Sequence, residues 1–195
     1  MAVNNTEIDE FVRRQATDLI AEGFASDWEI IDRLSEDVPG YRSFEKAPPC
    51  LEQLVRELAA EHREREAQWL DPTDCDCLDA AFTALCNRGV LACQHYGFDE
   101  GDGHANMWLL AQDNTPPHVP HGYAFYTTQS TGIARETGDL YISYEAMTGT
   151  DEATAEVGKQ VAEELRQAGL QVEWDGDPGK TILVTGLKWQ RRREE

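Results

Sequence analysis

The run Gln94-His95-Tyr96-Gly97-Phe98-Asp99-Glu100-Gly101-Asp102-Gly103-His104 holds three carboxylates, two imidazoles and three glycines. Such a set suits a hard cation, or acid–base work by His104 beside Asp102. A calcium loop of the EF-hand kind needs oxygen ligands at alternate positions and a closing Glu at the twelfth. Counted from Asp99, the alternate positions are Gly101 and Gly103 and the twelfth is Leu110, so the match fails. What remains is a turn: Asp102-Gly103 between two strand-like runs, with the glycine at positive φ. Asp102 and His104 stay as weak candidates for acid–base residues.

A second set is Cys75-Asp76-Cys77 with Cys93-Gln94-His95 further on. Thiolates and imidazoles of this kind assemble zinc sites, but paired ligands are normally two to four residues apart. Cys75 and Cys77 also sit at a helix start, where one thiol points away from the other. Cys75, Cys77, Cys93 and His95 are therefore weak metal candidates, and no metal or cofactor is expected. The chain has five cysteines, an odd number, and no secretion signal, which argues for reduced thiols. Cys86 and Cys93 read as small buried hydrophobes. A helix N-terminus would favour a Cys75 thiolate, whereas Asp74, Asp76 and Asp79 oppose it. His118 and His121 fall in a proline-rich loop and read as incidental. There is no nucleophile elbow, phosphate loop or dinucleotide fingerprint.

A third candidate is a surface. Alternation along "GYAFYTT" sends Tyr123 and Phe125 to one face and Tyr126 to the other. One face is core. The other is a candidate ligand or partner surface made of Tyr126, Gln129, Tyr141, Glu173 and Asp175. Cross-strand packing of the aromatics is the plainer account of the same residues.

These residues must be positioned by the elements around them. Ile8, Phe11, Val12, Leu19 and Ile20 recur at helical spacing, and Gly23 is a stop. Ser26-Asp27-Trp28-Glu29 is a capping-box pattern ahead of Ile30, Ile31 and Leu34, and Pro39-Gly40 ends that helix. Pro48-Pro49 opens a third, with Leu51, Leu54, Val55 and Leu58 on one side. Thr73 or Asp74 caps a fourth, whose apolar stripe is Leu78, Ala81, Phe82 and Leu85 and whose end is Gly89. "VLACQHY" and "ANMWLLAQ" read as strands, as do "YAFYTT" and "DLYISYEA"; "STGIARET" reads as a short helix between those last two. Thr150 caps a long amphipathic helix with Val157, Val161 and Leu165 inward and Gly169 at its end. "QVEWDG" and "TILVTGLKW" then pair around "DGDPGK". The expected fold is α+β: a mostly antiparallel sheet with helices packed on one face, preceded by a helical segment. The boundary falls between residues 1–70, helical, and 71–195, the α+β core.

Charge narrows the function. The net charge is −20, from 37 acids against 17 bases. Residues 71–150 carry only Arg88 and Arg135 against eleven acids. Such a surface repels phosphate backbones and anionic membranes, so direct nucleic-acid binding is excluded as a reading. The cluster Lys188, Arg191, Arg192 and Arg193 lies close to Glu194 and Glu195 and reads as a solvated tail. No apolar run reaches the ~20 residues of a membrane helix. Cytoplasmic residence is the expectation.

Several motifs in order resemble one uncharacterised bacterial domain family. They are Asp76 to Phe82 (D-x-L-D-x-A-F), Arg88-Gly89-Val90, Gly97-Phe98 to Asp102-Gly103, Gly122-Tyr123 with Phe125-Tyr126 and Gln129, and Val172 to Gly176 (V-E-W-D-G). The resemblance covers about residues 70–192 and implies an N-terminal helical part followed by an α/β part, with no established activity to carry over. Where the family pattern reads Gln-Asp, this chain has Gln129-Ser130. The pattern includes Asp102-Gly103 but not the cysteines or His118 and His121. With no catalytic set in view, the expected function is a non-enzymatic acidic module for a basic protein partner, in the manner of an inhibitor or immunity protein. The alternatives are an enzyme of unrecognised type, or a small-ligand or metal sensor using the Asp99–His104 loop or the aromatic strand face.

Overall fold

The structure is a computed structural model that describes residues 5–37, 49–112 and 119–193. His118 and the expected helix stop at Pro39-Gly40 lie outside the described residues. The described chain forms two compact units: 1–70 together with 190–195, and 71–189.

The first unit has three helices: α1 (Asn5–Glu22), α2 (Asp27–Asp37) and α3 (Pro49–Glu66). Ser26 and Glu29 make the reciprocal cap expected of them, with the Ser26 N–H and hydroxyl both donating to the Glu29 carboxylate. Val12, Ala16, Leu19 and Ile20 bury against Ile30, Leu34, Leu51, Val55 and Leu58. Each large side chain so buried contributes about 1.5–3 kcal/mol. Phe11 and Trp28 stay exposed.

In the basic C-terminal cluster Lys188 stays exposed, but Arg191 to Arg193 are not a solvated tail. Arg193, its side chain 8% exposed, donates to the Ala25 carbonyl at 2.7 Å and pairs with Asp27 at 2.8 Å. Its backbone N–H donates to Glu66 at 2.9 Å. The guanidinium groups of Arg191 and Arg192 lie over the rings of Phe24 and Trp69. Residues 190–193 thus belong to the helical unit, although the sequence reading placed them with the core. The reason is local: a planar guanidinium finds both an aromatic face and a buried carbonyl there, and these repay its desolvation.

The second unit contains α4 (Asp74–Asn87), β1 (Val90–Cys93), α5 (Glu100–Gln112), β2 (Gly122–Phe125), α6 (Thr128–Thr137), β3 (Leu140–Ala146), α7 (Asp151–Gln167), β4 (Gln171–Glu173) and β5 (Ile182–Thr185). The sheet order is β1-β2-β3-β5-β4. The sheet is mixed: β1 runs parallel to β2, and the other three neighbours are antiparallel. Parallel neighbours need a crossover, and α5 supplies it. The segment "ANMWLLAQ" is therefore helix, not the strand its apolar run suggested. Gly103, Met107 and Ala111, each four residues apart, form its buried stripe.

Helices cover both faces of the sheet rather than one. A Cβ on Gly122 would meet Val157 of α7 at 2.5 Å, and one on Gly103 would meet Phe125 of β2 at 2.1 Å. Because side chains alternate along β2, these contacts lie on opposite faces. Met107, Tyr123 and Phe125 form the core under α5, with Leu91 and Cys93 against them. On the α7 face, Leu140 and Ile142 bury with Val157, Val161 and Leu165. No described helix is long and apolar enough to cross a membrane.

Candidate functional site

The Asp99–His104 run opens α5. Asp99 Oδ1 accepts the Asp102 N–H at 2.9 Å, and the Asp99 carbonyl accepts the Gly103 N–H. Asp102 answers by accepting the Phe98 N–H at 3.0 Å and the Asn106 amide at 2.8 Å. This reciprocal cap replaces the expected Asp102-Gly103 turn. Gly103 is required for close approach and not for a positive φ: it lets the helix lie directly on the Phe125 ring.

Capping occupies Asp102, so it is not the partner of His104. His104 instead meets groups brought by three elements. Its Nδ1 lies 3.0 Å from the Tyr123 hydroxyl of β2 and 3.5 Å from Glu145 of β3. Its Nε2 lies 3.8 Å from Glu100, one turn back on α5. The Tyr123 hydroxyl donates to Glu145 in a short hydrogen bond. Ser143 donates to Glu100 at 3.2 Å. Burial, and after it the hydrogen bond to the Glu145 carboxylate, push the Tyr123 hydroxyl well above its ordinary pKa. Tyr123 therefore stays a neutral donor.

Glu100, His104, Ser143 and Glu145 line a cleft of about 730 Å³, with Tyr123 buried behind them. Tyr141, Ser143 and Glu145 reach it as alternate residues of β3. Asp151 of α7 and the 178–181 loop close the far side. Lys180 in that loop is already held by Asp175 at 2.6 Å and Asp177 at 3.6 Å. The loop is anchored by Tyr144, whose hydroxyl donates to the Lys180 carbonyl and accepts from Trp174 Nε1 at 2.9 Å. A Cβ on Gly158 would strike both rings, within 2.7 Å, so α7 needs glycine there.

The other proposed surface residues scatter. Tyr126 is fully buried, edge-on to Phe82 and Trp189, and donates to Gln94 at 2.8 Å, so it belongs to no surface. Gln129 is exposed on α6 and does not line the cleft. Glu173 is exposed on β4, in register with Leu183 of the cleft wall. Asp175 serves Lys180, which holds its carboxyl below the usual range. Of the five residues, only Tyr141 faces the cleft.

The metal candidates do not converge. Cys75 is buried in α4, and Cys77 is half-buried, its thiol raised by burial and then by Asp74 and Asp76. Burial likewise raises the Cys93 thiol. His95 Nδ1 lies 2.9 Å from the Thr131 hydroxyl. Among the described residues no group of three or more His, Cys, Asp or Glu is placed to hold a metal ion.

Tyr123, Ser143 and Glu145 were absent from the sequence-derived site, and Glu100 entered it only as a member of the Asp99–His104 run. Two signals pointed to them: the four-residue spacing from Glu100 to His104, and the polar alternation Ser143/Glu145 on a strand. The resemblance motifs are mostly scaffold. Asp76 completes the Thr73 capping box, Arg88 bonds Glu164 of α7 at 2.6 Å, and Trp174 anchors the cleft loop. Tyr123 is a motif residue buried behind the cleft, where its hydroxyl meets His104 and Glu145.

A family model described as "Domain of unknown function (DUF6891)" matches residues 5–193, and the chain belongs to that family. No curated protein and no solved structure matches it.

Proposed function

We propose that this chain is a non-enzymatic acidic binding module whose cleft takes hold of a basic protein partner, in the manner of an inhibitor or immunity protein. One observation carries the reading. Glu100, Glu145 and Asp151 line a single cleft, and the lysine in its wall is already committed to Asp175 and Asp177. Low-dielectric walls around uncompensated carboxylates focus a negative field, which speeds and orients a cationic partner. The net charge of −20 extends that field and disfavours nucleic acid. The test is titration with an arginine-rich peptide across rising salt. Binding should weaken steeply with salt, and Glu100→Gln with Glu145→Gln should weaken it by about tenfold at low salt. Salt-insensitive binding, or full binding by the double variant, would count against the cleft.

A second reading is favoured by His104, an imidazole oriented by a neutral tyrosine and a carboxylate at a cleft wall. That arrangement suits general acid–base catalysis. It predicts turnover lost in His104→Gln with ligand binding retained, whereas the binding module predicts no turnover to lose.

A further inference from the structure

The cleft combines three features that the charge alone does not require. The first is the His104 ring, placed between Glu100 of its own helix and Glu145 of β3. The second is the Tyr123 hydroxyl, on a residue 1% exposed, joining His104 to Glu145. The third is Tyr141, 39% exposed, an open aromatic ring in the same β3 row as Ser143 and Glu145.

The hydrogen-bond directions fix the ring's protons. The Tyr123 hydroxyl gives its proton to Glu145, so its oxygen accepts from His104. Nδ1 must then carry a hydrogen, and the lone pair of the neutral ring sits on Nε2, the atom facing Glu100. A second proton adds at Nε2. The single positive charge of the imidazolium so formed would offset part of the charge of Glu100 and Glu145. An incoming cation needs the same carboxylates free.

We propose that the cleft binds the terminal cation of an arginine or lysine side chain, and that this cation and the proton on His104 compete for Glu100 and Glu145. Tyr141 supplies the aromatic face on which a guanidinium or ammonium group lies. Neutral His104 leaves both carboxylates open; protonated His104 occupies the site with its own charge. The charged and titratable groups facing His104 are Glu100 from α5, Tyr123 from β2 and Glu145 from β3, with Asp151 of α7 and Lys180 across the cleft. This inference rests on the binding-module reading and adds the ligand group and its control to it.

The probe is N-acetyl-arginine amide, a single side-chain cation without a carboxylate, measured by calorimetry on the full chain. Binding is compared in mildly acid and mildly alkaline solution, in buffers of different ionisation heat. Binding should be about tenfold weaker in the acid solution, with net proton release there. His104→Asn should bind with little pH dependence and no proton release. Glu100→Gln, at a side chain 61% exposed, leaves the fold intact and should weaken the probe, as should Tyr141→Leu. pH-independent binding of the wild type without proton release would overturn the competition while leaving the module standing. Binding of the arginine-rich peptide but not of the probe would overturn the cleft as the cation site. Loss of both would overturn the two readings together.

Discussion

The two units treat charge in opposite ways. In the helical unit the three C-terminal arginines are turned inward and matched: Arg193 reaches Asp27 and the Ala25 carbonyl, and Arg191 and Arg192 lie on Phe24 and Trp69. In the α+β unit the cleft carboxylates are turned outward, with Glu100 61% and Glu145 42% exposed. A charge that is buried and matched mainly fixes geometry, while a charge held open on a rigid wall is available to a partner. Net charge alone would not have distinguished the two.

The comparison can be broken first at Gly103. If α5 holds the cleft open by lying on Phe125, Gly103→Ala forces a Cβ to within 2.1 Å of that ring and displaces the helix. Overpacking of this kind costs about 3 kcal/mol. Chemical denaturation should show that loss together with weakened binding of the arginine-rich peptide. Unchanged stability and binding would mean that the open charges do not depend on α5.

Arg193→Ala tests the other side. Asp27 is 43% exposed, so water takes up part of its charge once the partner is gone. The expected loss is about 2 kcal/mol rather than the larger figure for a fully buried pair. It should appear as faster hydrogen exchange in α1 to α3, with probe binding in the cleft unchanged. Equal protection would return the basic cluster to the surface.

The smallest effect is a pH dependence in the helical unit. His62 is 3% exposed, set against Trp69 and 3.2 Å from Glu66. Burial lowers its pKa below the ordinary value, outweighing the Glu66 carboxylate that raises it. As pH falls through about 6.5, the unfolded chain takes up a proton that the folded chain does not, so stability declines. His62→Gln should flatten the decline between about pH 7.5 and 5 in thermal melts. An equally steep decline in the variant would exonerate His62.

Much of the scaffold was legible because it is local. Ser26/Glu29, Thr73 and Thr150 cap where their spacing says they should, and the stripes at Leu78–Leu85 and Val157–Leu165 are buried. The failures were of two kinds. α5 carries two glycines in its first turn and an apolar run from Met107 to Leu110, which imitates a strand. Its i, i+4 stripe depends on a glycine, which hydrophobic periodicity does not count. The cleft was missed because its partners come from three elements whose adjacency is set by the parallel β1–β2 crossover. Asp102 and His104 are neighbours in sequence, yet they face different groups. The cation-rich C-terminus reads as soluble until the carbonyl and rings it covers are known.

The contacts of Arg193 also bear on the order of assembly during synthesis. The ribosome makes Phe24 to Asp27 and Glu66 long before residues 191–193. The Ala25 carbonyl, the Asp27 carboxylate and the Phe24 ring therefore wait, without these partners, while all of 71–189 is translated. The helical unit thus begins before the α+β unit is made and acquires these contacts only after it.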